Sequence, residues 1–144
     1  MPSKYFVVLL ADLGIPGHAF ISLGREDEEL QSSITDGTWG MYPKDSVSGL
    51  ESFFIGEVLG VIKDDYLRNK DYSLIIEVSE DEYNDAKAVL EKWRSKNYEL
   101  LKSDCLSFVI EMANAISDKI TIIPRTGFDN LPAEYLKELI LENK

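Results

Sequence analysis

The chain has 144 residues, the size of one ordinary domain, and its 44% hydrophobic and 28% charged content excludes a disordered or fibrous polymer. A formal charge of -11, from 26 acidic and 15 basic residues, weighs against nucleic acid and anionic membranes as partners. It suits a cationic or zwitterionic substrate or a basic protein, although solubility alone accounts for it. One cysteine and one histidine exclude an internal disulfide and a multi-cysteine zinc site, and no metal or cofactor is expected.

The opening MPSKYFVVLLADLG has a lysine and a short apolar run, but Asp12 interrupts the run and no small-residue cleavage site follows. Lys4 to Ala11 therefore reads as a first buried strand, in a protein synthesised in the cytoplasm without a classical signal peptide. DLGIPG turns the chain, and His18 to Leu23 forms a second strand that begins at the histidine. GREDEELQSS reads as a solvated acidic loop or helical turn. Thr35 to Tyr42 reads as a third strand ended by Pro43. Residues 44–60 are glycine-punctuated and weakly patterned, with Val61 and Ile62 opening a short segment into Asp64 and Asp65. Tyr72 to Val78 is a clear strand.

Ser79 with Glu82 makes the S-x-x-E capping box of a helix whose Tyr83, Ala86, Leu90 and Trp93 share one face. Residues 97–103 form a connector to a second helix beginning at Asp104 or Cys105, with Cys105, Val109, Met112 and Ile116 along one stripe. Ile120 to Ile123 reads as a short strand, PRTGFDN as a loop, and Pro132 as the first turn of a terminal helix. There is no internal repeat and no stretch of 18 apolar residues, so residues 1–144 read as one α+β domain without membrane insertion.

The chemistry available is that of Cys105 and His18. A thiol is nucleophilic as a thiolate, which a helix N-terminus favours through its unpartnered amides, and those amides also suit an oxyanion. An imidazole beside it accepts the thiol proton and later protonates the leaving group. Asp104 disfavours a thiolate by its charge, so its expected role is to cap and orient. Taken singly, a cysteine on an apolar helix face and a histidine at a strand start are packing residues.

The run Ser103-Asp104-Cys105-Leu106-Ser107-Phe108-Val109 resembles the D-C-S-G-F-V segment of NlpC/P60 cysteine peptidases. There the cysteine precedes the histidine; here Gly17-His18-Ala19-Phe20 comes first. That order resembles the circularly permuted branch of the papain-like superfamily, which includes lecithin–retinol acyltransferase-like proteins. Trp39-Gly40-Met41-Tyr42-Pro43, Gly60-Val61-Ile62-Lys63-Asp64-Asp65, Tyr98-Glu99-Leu100-Leu101 and Pro132 to Leu136 are similar to one bacterial group of that branch. The resemblance implies a papain-like α+β fold, an antiparallel sheet carrying His18 packed against a helix carrying Cys105, and acyl transfer through a thioester. It departs where permuted members commonly have Asn-Cys and this chain has Asp104-Cys105.

The resemblance implies a cysteine peptidase or amidase acting on peptidoglycan stem peptides, in some relatives as an effector exported by a dedicated system with an immunity or secretion partner. Two other readings stand beside it. One is a lipid ester or thioester hydrolase or acyltransferase, for which Leu50 to Ile62 is the candidate apolar segment; the other is a non-catalytic binding module. A third residue to orient the histidine is not fixed by spacing: Asp12, across the turn from His18, and Asp64 are the candidates, with a backbone group as the alternative. Trp39 and Tyr42 either line a cleft beside the histidine strand or belong to the core.

Overall fold

The first strand of the chain is buried most completely on one face, as its alternation requires. The computed structural model describes residues 2–13, 17–27, 32–43, 58–98, 104–125 and 131–143. In β1 (Pro2–Asp12), which lies between two neighbouring strands, Val7, Leu9 and Ala11 are buried in the apolar cluster, and on the opposite face Leu10 is buried while Phe6 and Val8 are only partly so. β2 (His18–Asp27), β3 (Ser32–Pro43), β4 (Val58–Asp64) and β5 (Tyr72–Val78) complete an antiparallel sheet in the order β5-β1-β2-β3-β4. The two-residue β6 (Asn97–Tyr98) pairs with the start of β4.

The register puts the candidate residues at one end of this sheet. Asp12 and His18 are the last facing pair of the β1–β2 hairpin. The β3–β4 register runs from Pro43 opposite Gly60 to Trp39 opposite Asp64. The chain leaves β4 at Asp65, whose amide donates to the Thr38 carbonyl at 2.9 Å.

Among the described residues, three helices pack on the sheet. α1 (Glu80–Trp93) begins with the expected capping box: Glu82 N–H donates to Ser79 Oγ at 3.1 Å and Ser79 N–H to the Glu82 carboxylate at 2.9 Å. Its buried residues are the four expected from helical spacing, Tyr83, Ala86, Leu90 and Trp93. α2 (Cys105–Ala115) buries Cys105, Leu106, Phe108, Val109, Met112 and Ala113, so it is the innermost helix. α3 (Pro132–Glu142) opens on Pro132, as expected, and buries Tyr135, Leu136 and Leu139. Val7, Leu9, Ala11, Ala19, Ile21, Leu23 and Met41 of the sheet join these helices in one apolar cluster. None of the helices among the described residues is long and apolar enough to cross a membrane.

The α+β class with an antiparallel sheet is thus observed, with several local corrections. The acidic stretch after Leu23 is not a loop at its ends: β2 runs to Asp27 and β3 starts at Ser32, because cross-strand pairing and the Arg25–Asp36 ion pair at 3.3 Å give this polar segment partners. β4 starts at Val58, earlier than the pattern around Gly60 suggests, since Val58 and Leu59 pair with Tyr98 and Asn97 of β6 before the ladder with β3 begins at Gly60. Ile120 to Ile123 is not a strand. A 3-10 turn at Ser117–Lys119 leads into irregular backbone, where Asn143 Oδ1 accepts from Thr121 N–H at 2.7 Å and its Nδ2 donates to Thr121 O at 2.8 Å. A side-chain amide takes the place of a neighbouring strand. Residues 14–16, 44–57, 99–103 and 126–130, which include most of the apolar segment begun at Leu50, lie outside the described residues.

Candidate active site

His18 is buried at the start of β2, and alternation along the strand separates its surroundings from the helices. Ala19, Ile21 and Leu23 belong to the helix-packed cluster. His18 and Phe20 leave the strand on the other face, with rings stacked at 5.6 Å, and the Tyr42 ring stacks on the imidazole at 4.4 Å.

The carboxylate at the histidine is Asp65, neither of the two aspartates singled out in the sequence. His18 Nε2 lies 2.8 Å from Asp65 Oδ2, and both side chains are buried. Asp64, one residue earlier, is exposed and accepts the Tyr66 amide at 2.7 Å, which tightens the turn that follows. Asp12, although opposite His18 in the hairpin, is paired with the Arg68 guanidinium. The turn does the sorting. Arg68 N–H donates to Asp65 O at 2.9 Å, folding Asp65 inward and returning Arg68 over the end of the sheet. A strand period of two contains the signal, because Ile62 is buried toward the helices and Asp65 falls on the opposite parity, the face that carries His18.

Gly40 makes this contact sterically possible. A Cβ built there would overlap both Asp65 Oδ2 and His18 Nε2. The glycine between Trp39 and Met41 is therefore the gap through which the carboxylate reaches the ring.

The hydrogen bonds around Asp65 run in one direction and thereby fix the histidine tautomer. Arg68 has donors only, so its Nη1 donates to Tyr42 Oη at 2.9 Å. The Tyr42 hydroxyl then gives its own proton to Asp65 Oδ1. Oδ2 remains to accept from His18 Nε2–H, because a carboxylate has acceptors only. Nδ1 keeps its lone pair and is the nitrogen able to act as a base. Burial first, and then the hydrogen bond to Asp65, raise the Tyr42 hydroxyl above its ordinary value, so it stays protonated as the relay requires.

Cys105 opens α2 with Asp104 as the N-cap, the position expected of it. Asp104 Oδ1 accepts the Ser107 amide at 3.0 Å, and both carboxylate oxygens are held by Arg125, Nη1 and Nη2 each at 2.7 Å. Arg125 was not singled out in the sequence; it lies 21 residues beyond Asp104, with no local pattern linking the two. The thiol is met by the backbone amides of Ala19 and Leu106. Ala19 immediately follows His18, so the thiol meets the peptide unit next to the histidine, but the imidazole leaves β2 on the face away from the helices and no hydrogen bond joins the two groups. Burial, and then the Asp104 charge, push the thiol up to about 12. The helix start thus does not produce the resting thiolate expected of it; at this fully enclosed sulfur, desolvation outweighs the helix amides.

Trp39 lies on the helix face of β3 and is only partly buried, while Tyr42 is a direct neighbour of the histidine. The chain matches no model of a protein family, no curated protein and no solved structure.

Proposed function

We propose that this protein is a cysteine hydrolase of papain-like, permuted NlpC/P60 type, in which Cys105 forms a thioester with the acyl part of an amide substrate. The observation carrying this reading is the oriented relay Arg68–Tyr42–Asp65–His18, which leaves Nδ1 as a base near the strand end where the Cys105 thiol lies. Such a relay has a purpose if a proton is to be moved, and the sequence resemblance names the acceptor chemistry.

Because the resting thiol is protonated, the reaction is general-base catalysis rather than attack by a preformed ion pair. The thiol proton passes to His18 Nδ1 as sulfur bonds to the acyl carbon. The carbon–nitrogen bond then breaks, and the amine leaves with the proton from the imidazolium. Water, deprotonated by the same nitrogen, hydrolyses the thioester and restores the thiol. Asp65 balances the imidazolium formed at each stage. The Cys105 amide, in the first helical turn, suits the oxyanion, since the Leu106 amide meets the thiol and the Ser107 and Phe108 amides are already taken by Asp104.

The substrate proposed is a stem-peptide amide of peptidoglycan, and export by a dedicated secretion system would bring the protein to it. Digestion of purified peptidoglycan is expected to release new stem-peptide termini, and intact-mass spectrometry with an activated acyl ester is expected to show one adduct on Cys105. Both signals vanish in Cys105→Ala and His18→Ala. Absence of both in the unaltered protein refutes the proposal. The buried, proton-retaining thiol favours a second reading, a binding module in which Cys105 only packs. That reading requires Cys105→Ala to retain every biological activity of the chain.

A further inference from the structure

A second concavity lies on the helix side of the sheet, between β3 and α1, with a volume of about 500 Å³, within the range of small-ligand sites. The floor is aromatic. The Trp39 indole lies flat along β3 because Gly37 has no side chain, and a Cβ there would collide with the ring. Tyr5 and Tyr83, with centroids 5.0 Å apart, form the adjoining wall.

The charges around this groove decide what it can hold. Its rim carries Arg25, Lys87 and Arg94 against Asp36, Glu80 and Glu91, a neutral patch on a chain of net charge -11. Four of the six cancel locally: Arg25 pairs with Asp36 at 3.3 Å, and Arg94 with Glu91 at 3.2 Å. Tyr83 also donates to Asp36, which occupies the second oxygen. Among the described residues Glu80 has no cationic partner, and Lys87 meets the Tyr83 ring, at 5.9 Å, and no carboxylate.

Glu80 and Lys87 are seven positions apart in α1, so they stand on one face of the helix with about 10.5 Å of rise between them. Asn84 lies between them on the groove wall, with an amide that can both donate to and accept from a peptide unit. An extended chain advances about 3.3–3.6 Å per residue, so about three residues cover the same span.

We propose that this groove binds a short zwitterionic peptide of about three residues, with its ammonium at Glu80, its carboxylate at Lys87 and its backbone across Asn84 above the Trp39 ring. A free anion meets only one uncompensated cation here and an acidic surface beyond it. A free cation meets Lys87. A peptide with both termini satisfies both ends. The site does not depend on Cys105 chemistry.

The test is calorimetric titration of Cys105→Ala protein with tri-alanine, followed in parallel by tryptophan fluorescence. Saturable binding is expected, weakened about three- to fivefold by N-acetylation or by C-terminal amidation, the effect of losing one exposed ion pair. Lys87→Glu should weaken tri-alanine but not its amide. The doubly exchanged Glu80→Lys/Lys87→Glu protein should recover binding, because the peptide can lie in the opposite direction. Both residues are exposed, so an unchanged circular dichroism spectrum verifies the fold of each variant. No saturation up to roughly 10 mM, the limit of affinities worth about 3 kcal/mol, overturns the proposal. Affinities indifferent to end-blocking and to both substitutions overturn it equally. Use of the Cys105→Ala protein keeps either outcome separate from the presence or absence of hydrolysis.

Discussion

Replacement of Arg125 by methionine isolates the electrostatic support of the helix that carries Cys105. Its guanidinium clamps both oxygens of Asp104 at 2.7 Å, with side-chain exposures of only 12% and 2% for the two partners. Methionine fills similar space but strips the guanidinium from a buried carboxylate, which costs about 3–5 kcal/mol. That is a large part of the roughly 5–15 kcal/mol stability of an ordinary domain. At about 2–4 °C per kcal/mol for a chain of this size, the midpoint of thermal unfolding should fall by about 6–20 °C. The decisive comparison is a double-mutant cycle by urea denaturation. Asp104→Asn keeps an N-cap side chain and removes the charge, so Asp104→Asn/Arg125→Met should be more stable than Arg125→Met alone. A coupling of about 2 kcal/mol or more is expected. Single effects that add to within about 0.5 kcal/mol would refute the reasoning, since the two side chains would then not act as a unit.

Gly40→Ala should separate His18 from Asp65, because the new methyl occupies the space of both reacting atoms; acyl-enzyme formation should fall as far as in Asp65→Asn, by about a hundredfold or more. Tyr42→Phe leaves Asp65 in place but removes one donor to it and one acceptor from Arg68, so a smaller loss, about tenfold, is expected in the same mass-spectrometric assay. A Tyr42→Phe rate equal to wild type would show that the relay does not orient the histidine. The raised thiol predicts alkaline instability with a definite sign. Unfolded chains release the thiol proton near pH 8.5, whereas the native state holds it to about 12, so the stabilisation is complete below pH 8.5 and is lost as pH rises toward the native value. Between pH 8 and 10.5 the urea stability of wild type should fall by about 2–3 kcal/mol more than that of Cys105→Ala.

Local signals made α1 and the caps legible in the sequence, and long-range ones did not exist there to be read. Ser79 and Glu82 are three residues apart, and Asp104 caps the helix one residue later, so both helix starts were available from spacing. His18 and Cys105 were available as singletons. Asp65 was missed by one position, because the sequence gives a pair of aspartates at the end of β4, and only the face of Ile62 and the turn to Arg68 choose between them. Arg125 follows a segment expected to be a strand, and nothing in its neighbours indicates a carboxylate 21 positions away. The segment from Ile120 misled for a related reason: β-branched residues satisfy a strand pattern, but here an asparagine side chain, not a neighbouring strand, accepts from the Thr121 N–H and donates to its carbonyl.

The relay around His18 also joins places that are remote along the chain. Asp12 ends β1, His18 begins β2, Tyr42 lies near the end of β3, and Asp65 and Arg68 follow β4. It works as a clasp across four strand ends as well as a path for polarisation. A lesion at Asp12, which has no hydrogen bond to the imidazole, would release Arg68, then Tyr42, and reach the ring as a loss of orientation. Inactivity in variants of these residues would thus combine altered chemistry with an opened sheet end, and Cys105, outside the clasp, is the position at which chemistry can be removed alone.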